Sequence, residues 1–377
     1  MIPEGELVVQ LDWDGQQVSD VHVCSTRTVS ASRLLVGRTA DEVRDIAPLL
    51  YSVCAAAHAA AATVALAATA SDAAAGIDLE TPSLDVILEA IGEHVRCLLM
   101  DWPRALGRQP NASPVARTRR CVEAMRRGVP TGRAAPAEVC NLELLAAEFI
   151  YGMPGEQWLR IETVEALQAW LDEASVEPAL GLAVLVREHA ALGSSDILPM
   201  PTVSATTLLD PLALSLATAT QFEHYPTWSG SPVETGVFAR MQSLPLLRAV
   251  VASFGNGVVA RIVARLAELA MLLQQTAGTV SALWPAVQVC TDTTGAGVAA
   301  VQTARGLLLH QARVEGGRVT SYRIVAPTEW NFHPEGPLAS GLRGCQARDE
   351  DDLRRRATLA IRALDPCVAT RIEVGHA

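Results

Sequence analysis

The sequence predicts a mainly α-helical chain with small β hairpins near both ends, an α+β fold. Half of its 377 residues are hydrophobic, which is enough for one large domain or two ordinary ones. Long apolar runs follow the first hairpin, and the first of them is rich in alanine, the strongest helix former. Alternating hydrophobic residues flank glycine-containing turns at Asp14-Gly15 and Gly316-Gly317, the pattern of β hairpins.

In the first half of the chain, hydrophobic spacing, proline and glycine indicate where elements begin and end. Pro103 is expected to end the second helix, and the Pro-, Gly- and Arg-rich stretch after it to be a loop or an irregular crossing. The segments predicted here are strands 6–12 and 18–24, helices 41–70, 83–100, 137–151 and 160–173, and the irregular stretch 103–136.

The second half begins with a stretch rich in Ser, Thr and Pro, which predicts irregular structure. Long apolar helices follow, interrupted near Gly255-Asn256-Gly257, and a hairpin is predicted around the turn Glu315–Arg318. The segments predicted here are the irregular stretch 193–233, helices within 236–283, strands within 298–327 and a charged helix at 348–363.

The net charge of −11 argues against nucleic acid or an anionic membrane as a partner, because both require a basic surface. Arginines do cluster between Arg104 and Arg133, and a solvated face or loop is favoured there over a binding patch. The cluster contains Arg117, Arg119, Arg120, Arg126 and Arg127.

Residues 46–71 carry no formal charge and are long enough to span a bilayer. Alanine is their commonest residue, however, and Leu, Ile and Val, the residues that favour insertion, are few, so a buried core helix is predicted. The N-terminus has acidic residues where a signal peptide would have basic ones. The eight cysteines form no CxxC pair, which favours reduced thiols. We therefore expect a cytoplasmic protein without membrane insertion.

The candidate functional residues lie near the two ends of the chain. Cys54 and His58 are one helical turn apart in YSVCAAAH, and Cys367 follows Asp-Pro close to the C-terminus. Taken singly, a cysteine in an alanine-rich helix is usually a small buried hydrophobe, and a lone histidine is usually structural. No GxxxxGK[ST], HExxH or GxSxG motif occurs, so three common enzyme classes lose their simplest support.

Taken together, six segments in order resemble the large subunit of [NiFe]-hydrogenases along nearly the whole chain. The segments are Glu4–Leu7 (EGEL for EGHL), LLYSVCAAAH (for RICGVCPxAH), Glu234–Arg240 (for TGPLAR), Arg305–His310 (for PRGxLxH), Pro327–Asn331 (for PTTWN) and Asp365–Cys367 (for DPCxxCxxH). The resemblance implies a single domain, 1–377, with a helical core and with N- and C-terminal segments that meet at a vestigial metal site.

The departures from the family pattern bear on the metal. In the family, two CxxC pairs supply four thiolates to nickel, and one thiolate of each pair also bridges to iron. Tyr51 and Thr370 replace two of them here, which leaves Cys54 as a bridging ligand and Cys367 as a nickel-only ligand. Soft thiolates hold such metals, so nickel is expected to bind poorly. Glu373 replaces the family's terminal His, after which a C-terminal extension is removed, and no such cleavage is expected here.

The iron half of the site is better preserved, as far as the resemblance implies. Arg305 and Thr328 stand where the family donates hydrogen bonds to the cyanides of an Fe(CN)2(CO) group, and Leu308 stands where a leucine lines the carbon monoxide pocket. Glu4, His58 and Pro327 complete the implied surroundings of the iron. We expect Cys54 and Cys367 to hold this iron fragment transiently.

This combination is similar to the hydrogenase maturation proteins of the HupK/HoxV type. It favours an accessory scaffold that holds the Fe(CN)2(CO) group and transfers it, rather than an enzyme. Two alternatives are a metal-free chaperone that docks maturation factors, and a divergent nickel-dependent hydrogenase, which the broken cysteine set disfavours. The implied partners are hydrogenase maturation chaperones and the immature hydrogenase large subunit.

Overall fold

The computed structural model describes residues 5–26, 29–70, 77–127, 136–201, 205–219, 221–278 and 286–376. Its helices are α1 (Ala40–Leu50), α2 (Ala55–Ala67), α3 (Glu80–Arg96), α4 (Trp102–Ala105), α5 (Ala112–Arg127), α6 (Pro136–Ala146), α7 (Gly155–Trp158), α8 (Val164–Glu173), α9 (Glu177–His189), α10 (Ala205–Thr218), α11 (Val237–Met241), α12 (Pro245–Phe254), α13 (Val258–Thr276), α14 (Pro327–Asn331), α15 (Pro337–Leu342) and α16 (Glu350–Leu364). Its strands are β1 (Glu6–Trp13), β2 (Val18–Ser25), β3 (Val287–Thr291), β4 (Gly297–Thr303), β5 (Gly306–Glu315), β6 (Arg318–Val325) and β7 (Ala369–His376).

Helix α13 is the centre of the helical core. Fifteen of its 19 residues are buried, because it packs against α3, α9, α11, α12 and α16 on different sides. A helix surrounded in this way is apolar nearly all round. The few ionisable residues that α13 does carry are therefore buried with it, and two of them, Arg265 and Glu268, prove to be part of the candidate site.

Two small sheets flank this core. In the first, with the order β2-β1-β7, β1 pairs with β2 in antiparallel fashion and with β7 in parallel fashion. The β1–β7 register runs from Glu6 opposite Ala369 to Trp13 opposite His376, so the two ends of the described chain lie side by side. The second sheet is an antiparallel meander, β3-β4-β5-β6.

The structure confirms the predicted fold class and several of the predicted elements. The N-terminal hairpin is present, with Gly15 at a φ of +93°, and the hairpin β5–β6 turns at Gly316 and Gly317, both with positive φ. The break at residues 255–257 separates α12 from α13. Position 257 requires glycine, because a Cβ there would lie 2.1 Å from the carbonyl oxygen of Leu192.

The single helix predicted at 41–70 was wrong, because the run is broken. Helix α1 contains Pro48, which lacks the N–H that a helix interior needs, and it ends at Leu50. Tyr51 and Cys54 have non-helical backbone angles, and α1 meets the helix that follows at 102°. Cys54 is therefore the residue before α2 rather than a residue within a long helix. No single helix in the described ranges is long and apolar enough to cross a membrane. Ala40–Leu50 and Ser52–Ala67 would be so only if taken together, and they are bent at 102°.

Three further predictions were wrong. The second helix does not end at Pro103, because a π-helical turn, Cys97–Asp101, leads from α3 into α4 and places the proline in the first turn of α4. The stretch 103–136 contains α5, whose buried residues Pro114, Thr118, Val122 and Met125 follow a helical spacing that the many arginines obscured. The stretch 193–233 contains α10, in which Pro211 is accommodated.

Candidate functional site

Arg305 is held by close contact between two backbone segments. Its neighbour Gly306 has a φ of +138°, and a Cβ there would lie 2.4 Å from Oγ1 of Thr235. Gly236 has a φ of +118°, and a Cβ there would lie 3.1 Å from the carbonyl oxygen of Arg305. Asn331 joins both segments: its Nδ2 donates to the Arg305 carbonyl (3.0 Å), and its Oδ1 accepts from the Thr235 N–H (2.9 Å). Three of the six sequence segments therefore fix the position of one guanidinium group.

The guanidinium of Arg305 lies against the thiol of Cys54. Nη1 is 3.3 Å from the Cys54 Sγ, and Nη2 donates to Oε2 of Glu93 at 2.5 Å. Nε is buried and makes no hydrogen bond within the described residues, since the nearest carboxylate oxygen, Oδ1 of Asp365, is 3.7 Å away. Arg305 is 4% exposed, so this remaining donor is available only to a group that enters beside it.

Cys54 is a neutral thiol in this environment. Burial raises its pKa to about 12, although the positive charge of Arg305 opposes the shift. The carboxylate of Glu89 accepts hydrogen bonds from the N–H groups of Ala56 (2.7 Å) and Ala57 (3.2 Å), which are free at the start of α2. Burial raises the pKa of Glu89 to about 6, even though these two bonds favour its charged form. Glu89 thus fixes the helix end from which the Cys54 thiol projects.

Cys367 reaches the same region from the C-terminal end. Asp365 ends α16 in the left-handed conformation (φ 52°), which aspartate tolerates better than most residues, and this turns the chain toward the site. The Sγ of Cys367 lies 3.1 Å from Oγ1 of Thr328, in the first turn of α14. The charge of Cys367 is also one of those that raise the pKa of Cys54, as expected for neighbouring thiols.

A buried chain of charges supports Arg305 and Asp365. Nη1 of Arg265 lies 3.2 Å from Oδ2 of Asp365 and 3.0 Å from Nδ1 of His94. The other His94 nitrogen, Nε2, lies 2.7 Å from Oε2 of Glu268, and Arg240 binds both Glu268 oxygens at 2.6 and 2.8 Å.

The pKa shifts follow from these contacts. Burial alone would raise the pKa values of the two carboxyl groups, but their arginine partners lower that of Glu268 to about 2 and keep that of Asp365 below its usual range. Both carboxylates are therefore ionised at neutral pH. Asp365, itself bound to Arg265, is one of the ionised groups that face the guanidinium of Arg305.

A cleft of about 650 Å³ opens beside these groups. Arg305, Asp365 and Cys367 lie in its wall, together with Ser52, Val53 and Ala55, which flank Cys54. Its charged wall residues are five arginines (Arg96, Arg119, Arg126, Arg305, Arg362) and three carboxylates (Glu89, Glu93, Asp365). The cleft therefore carries an excess of two positive charges, whereas the whole chain has a net charge of −11.

The structure brings together some of the sequence-predicted site residues and not others. Cys54 contacts Arg305, and Cys367 contacts Thr328. Three of the others, His58, Leu308 and Pro327, do not line the cleft. Glu4 lies outside the described residues.

His58, Leu308 and Pro327 make contacts within the fold instead. Nδ1 of His58 is 3.0 Å from Nε2 of His310, and the His58 ring stacks on Tyr51 at 4.1 Å between centroids. Leu308 is fully buried in the main core. Pro327 begins α14, the helix that carries Thr328. Cys54 immediately precedes α2 and His58 lies one turn into it, and the two side chains have different partners, Arg305 for Cys54 and His310 for His58.

Sequence reasoning missed Glu93, Asp365 and Arg265 as members of the site. A signal did exist for Glu93, since Glu89, Glu93 and Arg96 recur at helical spacing on α3. Asp365 belonged to a quoted motif but was not given a role. Arg265 offered no signal, because a charged residue within α13 could equally have faced solvent.

The two positions where the resemblance implies missing thiolates hold residues with structural surroundings. Tyr51 stacks on His58, and Thr370 lies in β7 opposite Leu7 of β1. Neither offers a soft donor. Four thiolates therefore do not converge here: Cys367 lines the cleft, and Cys54 does not line it but contacts Arg305, which does.

Known proteins resemble this chain in sequence and in fold. Residues 220–372 match the family model of the nickel-dependent hydrogenases. The hydrogenase expression/formation protein HoxV of Cupriavidus necator is 30% identical over 93% of this chain and 92% of its own. HupK of Rhizobium leguminosarum, of the same description, is 29% identical over 95% and 93%. The Ni-Fe-Se hydrogenase of Desulfovibrio vulgaris Hildenborough has the same fold, with a TM-score of 0.57 and 16% identity over 94% of both chains.

Proposed function

We propose a scaffold function for this chain, which belongs to the family of hydrogenase expression/formation proteins that includes HoxV and HupK. The chain transiently holds the Fe(CN)2(CO) group and passes it to the immature hydrogenase large subunit, in the cytoplasm and together with maturation chaperones. It acts as an accessory protein and not as an enzyme. The family name supports the maturation role, and the cleft supports the iron-holding part of the proposal.

One observation carries the proposal: a buried thiol and a guanidinium with an unused donor meet at the wall of a cationic cleft. The thiol of Cys54 supplies a soft ligand for iron and loses its proton when the Fe–S bond forms. Arg305 then faces the anionic cyanides with a fixed, always charged donor. Cys367 offers a second sulfur, and Thr328 a hydroxyl beside it.

A nickel-dependent activity is not proposed, because the donor set does not fit nickel. A tetrathiolate site needs four converging sulfurs, and Tyr51 and Thr370 hold two of the required positions. The loss of two thiolates also favours transient binding of iron. One bridging thiolate forms a bond that exchanges more easily than a chelate of two, and a donor must release its cargo.

The second candidate is a metal-free docking protein for maturation factors, and one observation favours it. The guanidinium of Arg305 is already bound to Cys54 and Glu93, and Thr328 to Cys367. The site is thus largely satisfied by the protein's own groups. In this candidate function, imitation of the hydrogenase surface is sufficient, and the thiols are structural.

Infrared spectroscopy separates the two candidates, because metal-bound cyanide and carbon monoxide absorb where proteins do not. Full-length protein would be purified anaerobically from cells that make hydrogenase. We expect cyanide and carbon monoxide bands in the wild type and in Cys290→Ala. In Cys54→Ala we expect no bands and no hydrogenase maturation. Cys290 is the matched control, since burial also raises its pKa to about 12 and its side-chain partner is Asp210 rather than Arg305.

Two results would reject the iron scaffold. Normal maturation in the Cys54→Ala strain, with no bands in the wild type, would favour the metal-free docking protein. Stoichiometric nickel with hydrogen-dependent dye reduction would instead establish an enzyme.

A further inference from the structure

The arginine cluster of the sequence divides between the faces of α5. Val115, Arg119, Val122 and Arg126 follow one another at spacings of four, three and four residues, and all four line the cleft. This spacing places them on one helix face as an alternating apolar and cationic stripe. Arg119 and Arg126 are exposed, as expected of a solvated face, and they also line the cleft.

The other arginines of α5 project elsewhere. Arg117 faces Glu148 at 3.8 Å and lies over the ring of Phe149, and Arg127 faces Glu123 at 3.9 Å. Neither they nor Arg120 line the cleft. Adjacent residues of one helix therefore provide cleft-lining arginines and matched arginines outside the cleft.

Two cations of the cleft wall have no partner within the part of the chain that the structure describes. Arg119, on α5, and Arg362, near the end of α16, form no ion pair and no hydrogen bond there. Arg126 contacts one residue there, Asp85: its Nε lies 3.4 Å from the half-exposed carboxylate, and its Nη2 donates to the Asp85 carbonyl oxygen at 3.0 Å. The inner arginines Arg96 and Arg305 are by contrast paired with Glu93. The unpaired positive charge therefore belongs to residues other than the arginine that contacts Cys54.

The cleft is larger than the iron group needs. An iron with three diatomic ligands has seven heavy atoms, which at ~30 Å³ for a water-sized group occupy on the order of 200 Å³. The cleft volume of about 650 Å³ leaves room for several side chains more. Its wall also contains the apolar residues Val53, Val115 and Val122, of which Val53 is 42% exposed. Apolar residues beside unpaired arginines suit a mixed acidic and apolar peptide better than a small anion.

We propose that the cleft is a docking site for an acidic, partly apolar segment of a partner protein, recognised by Arg119, Arg126 and Arg362. The inference rests on the proposed function only for the identity of the partner, as a protein that gives or takes the iron group. Carboxylates of that segment pair with the three guanidiniums, and its apolar side chains lie on Val115 and Val122. The partner's chain is thereby brought close to Arg305 and Cys367, which line the same cleft.

A binding assay without iron tests the docking site. The probe is a fluorescent peptide of mixed Glu, Leu and Ser, about twelve residues long, titrated onto the full chain at about 50 mM salt. Arg119→Glu/Arg126→Glu makes the charge of the cleft wall negative, and should weaken binding about tenfold or more, as should Arg362→Glu. The control Arg120→Glu/Arg127→Glu changes the same charge on the same helix at the same spacing, and should bind within about twofold of the wild type.

Several results would overturn the docking site. Equal weakening by the control pair would mean a general charge effect. Equal binding of a peptide with Gln in place of Glu would remove the role of the carboxylates. Displacement of the peptide by about 1 mM inorganic phosphate would indicate a small-anion site instead.

Infrared spectra keep this inference separate from the proposed function. The Arg119→Glu/Arg126→Glu variant should keep its cyanide and carbon monoxide bands while maturation falls. Loss of those bands would mean that these arginines hold the iron group, and would overturn docking as their role. A wild type that binds the peptide but shows no bands would reject the iron proposal and leave the docking site supported.

Discussion

Replacement of Arg305 by lysine is the sharpest test of how the iron group is held. The three nitrogens of the guanidinium point in different directions. Nη1 donates to Cys54 and Nη2 to Glu93, and Nε faces Asp365 at 3.7 Å. A lysine keeps the charge but presents a single nitrogen, which the carboxylate of Glu93 will hold because it is the closest anion. The variant should therefore fold, but it should offer no fixed donor to the cargo.

The magnitude follows from the lost contact. A charge-assisted hydrogen bond contributes about 1.5–3 kcal/mol, which is about ten- to a hundredfold in retention of the iron group. Arg305→Leu is a less specific change, because it also removes the charge that faces Glu93 and Asp365. Asp365 would still face Arg265, and Glu93 would still face Arg96, so we expect a loss of about 1–3 kcal/mol in the free energy of unfolding as well.

The assay follows the carbon monoxide band after the loaded protein is diluted into excess thiol competitor. The band of Arg305→Lys should decay about ten to a hundred times faster than that of the wild type, with an unchanged urea midpoint. Decay at the wild-type rate in both Arg305→Lys and Arg305→Leu would refute the reasoning. The guanidinium would then serve to balance Glu93 and Asp365 and would not contact the cargo.

Three further predictions concern acid stability, nickel and processing. Burial lowers the pKa of His310 to about 3, below its unfolded value of about 6.5. The free energy of unfolding is therefore highest above pH 6.5 and falls as the pH is lowered toward 3, because the unfolded chain takes up a proton on His310 that the folded chain does not. The expected slope is up to about 1.4 kcal/mol per pH unit. Urea titrations at several pH values should show a flatter pH dependence in His310→Gln. Tyr51→Cys/Thr370→Cys should gain nickel by elemental analysis and retain more iron while maturation falls, and unchanged metal content would count against the release argument. Intact mass spectrometry should find the full chain in a maturation-competent strain, because Val374–His376 pair with β1; loss of the last four residues would contradict this.

The sequence predicted those parts of the fold that local chemistry determines. Both hairpins follow from alternating residues around glycine turns, and the break at 255–257 follows from two glycines and an asparagine. The split at Tyr51 was not predicted, because alanine favours a helix on both sides and only Pro48 opposes it. Helix α5 was obscured by its arginines, since a helix that exposes most of its surface shows only a narrow apolar stripe.

The candidate site, too, was predicted from the sequence only in part. The family segments indicated Cys54, Arg305, Thr328 and Cys367, and the structure places these four in two contacting pairs. The partners that orient them could not be derived, because Glu93 and Arg265 come from helices far away in sequence. Pairing of buried charges depends on how helices cross, and a single sequence carries little information on that.

In the proposed iron scaffold, the buried charges give a physical reason why a weak ligand set can still be specific. Arg305 and Asp365 are fixed by Glu93, Arg265, His94 and Glu268, none of which needs a metal to stay in place. A site arranged in this way spends little free energy on ordering when the cargo arrives, so even one thiolate and one guanidinium can select an iron that carries cyanides. Selectivity then depends on the fixed donor, and residence time depends on the number of sulfurs. Because the two properties reside in different residues, a hydrogenase-like pocket can lose thiolates and become a faster donor without losing its preference for the same group.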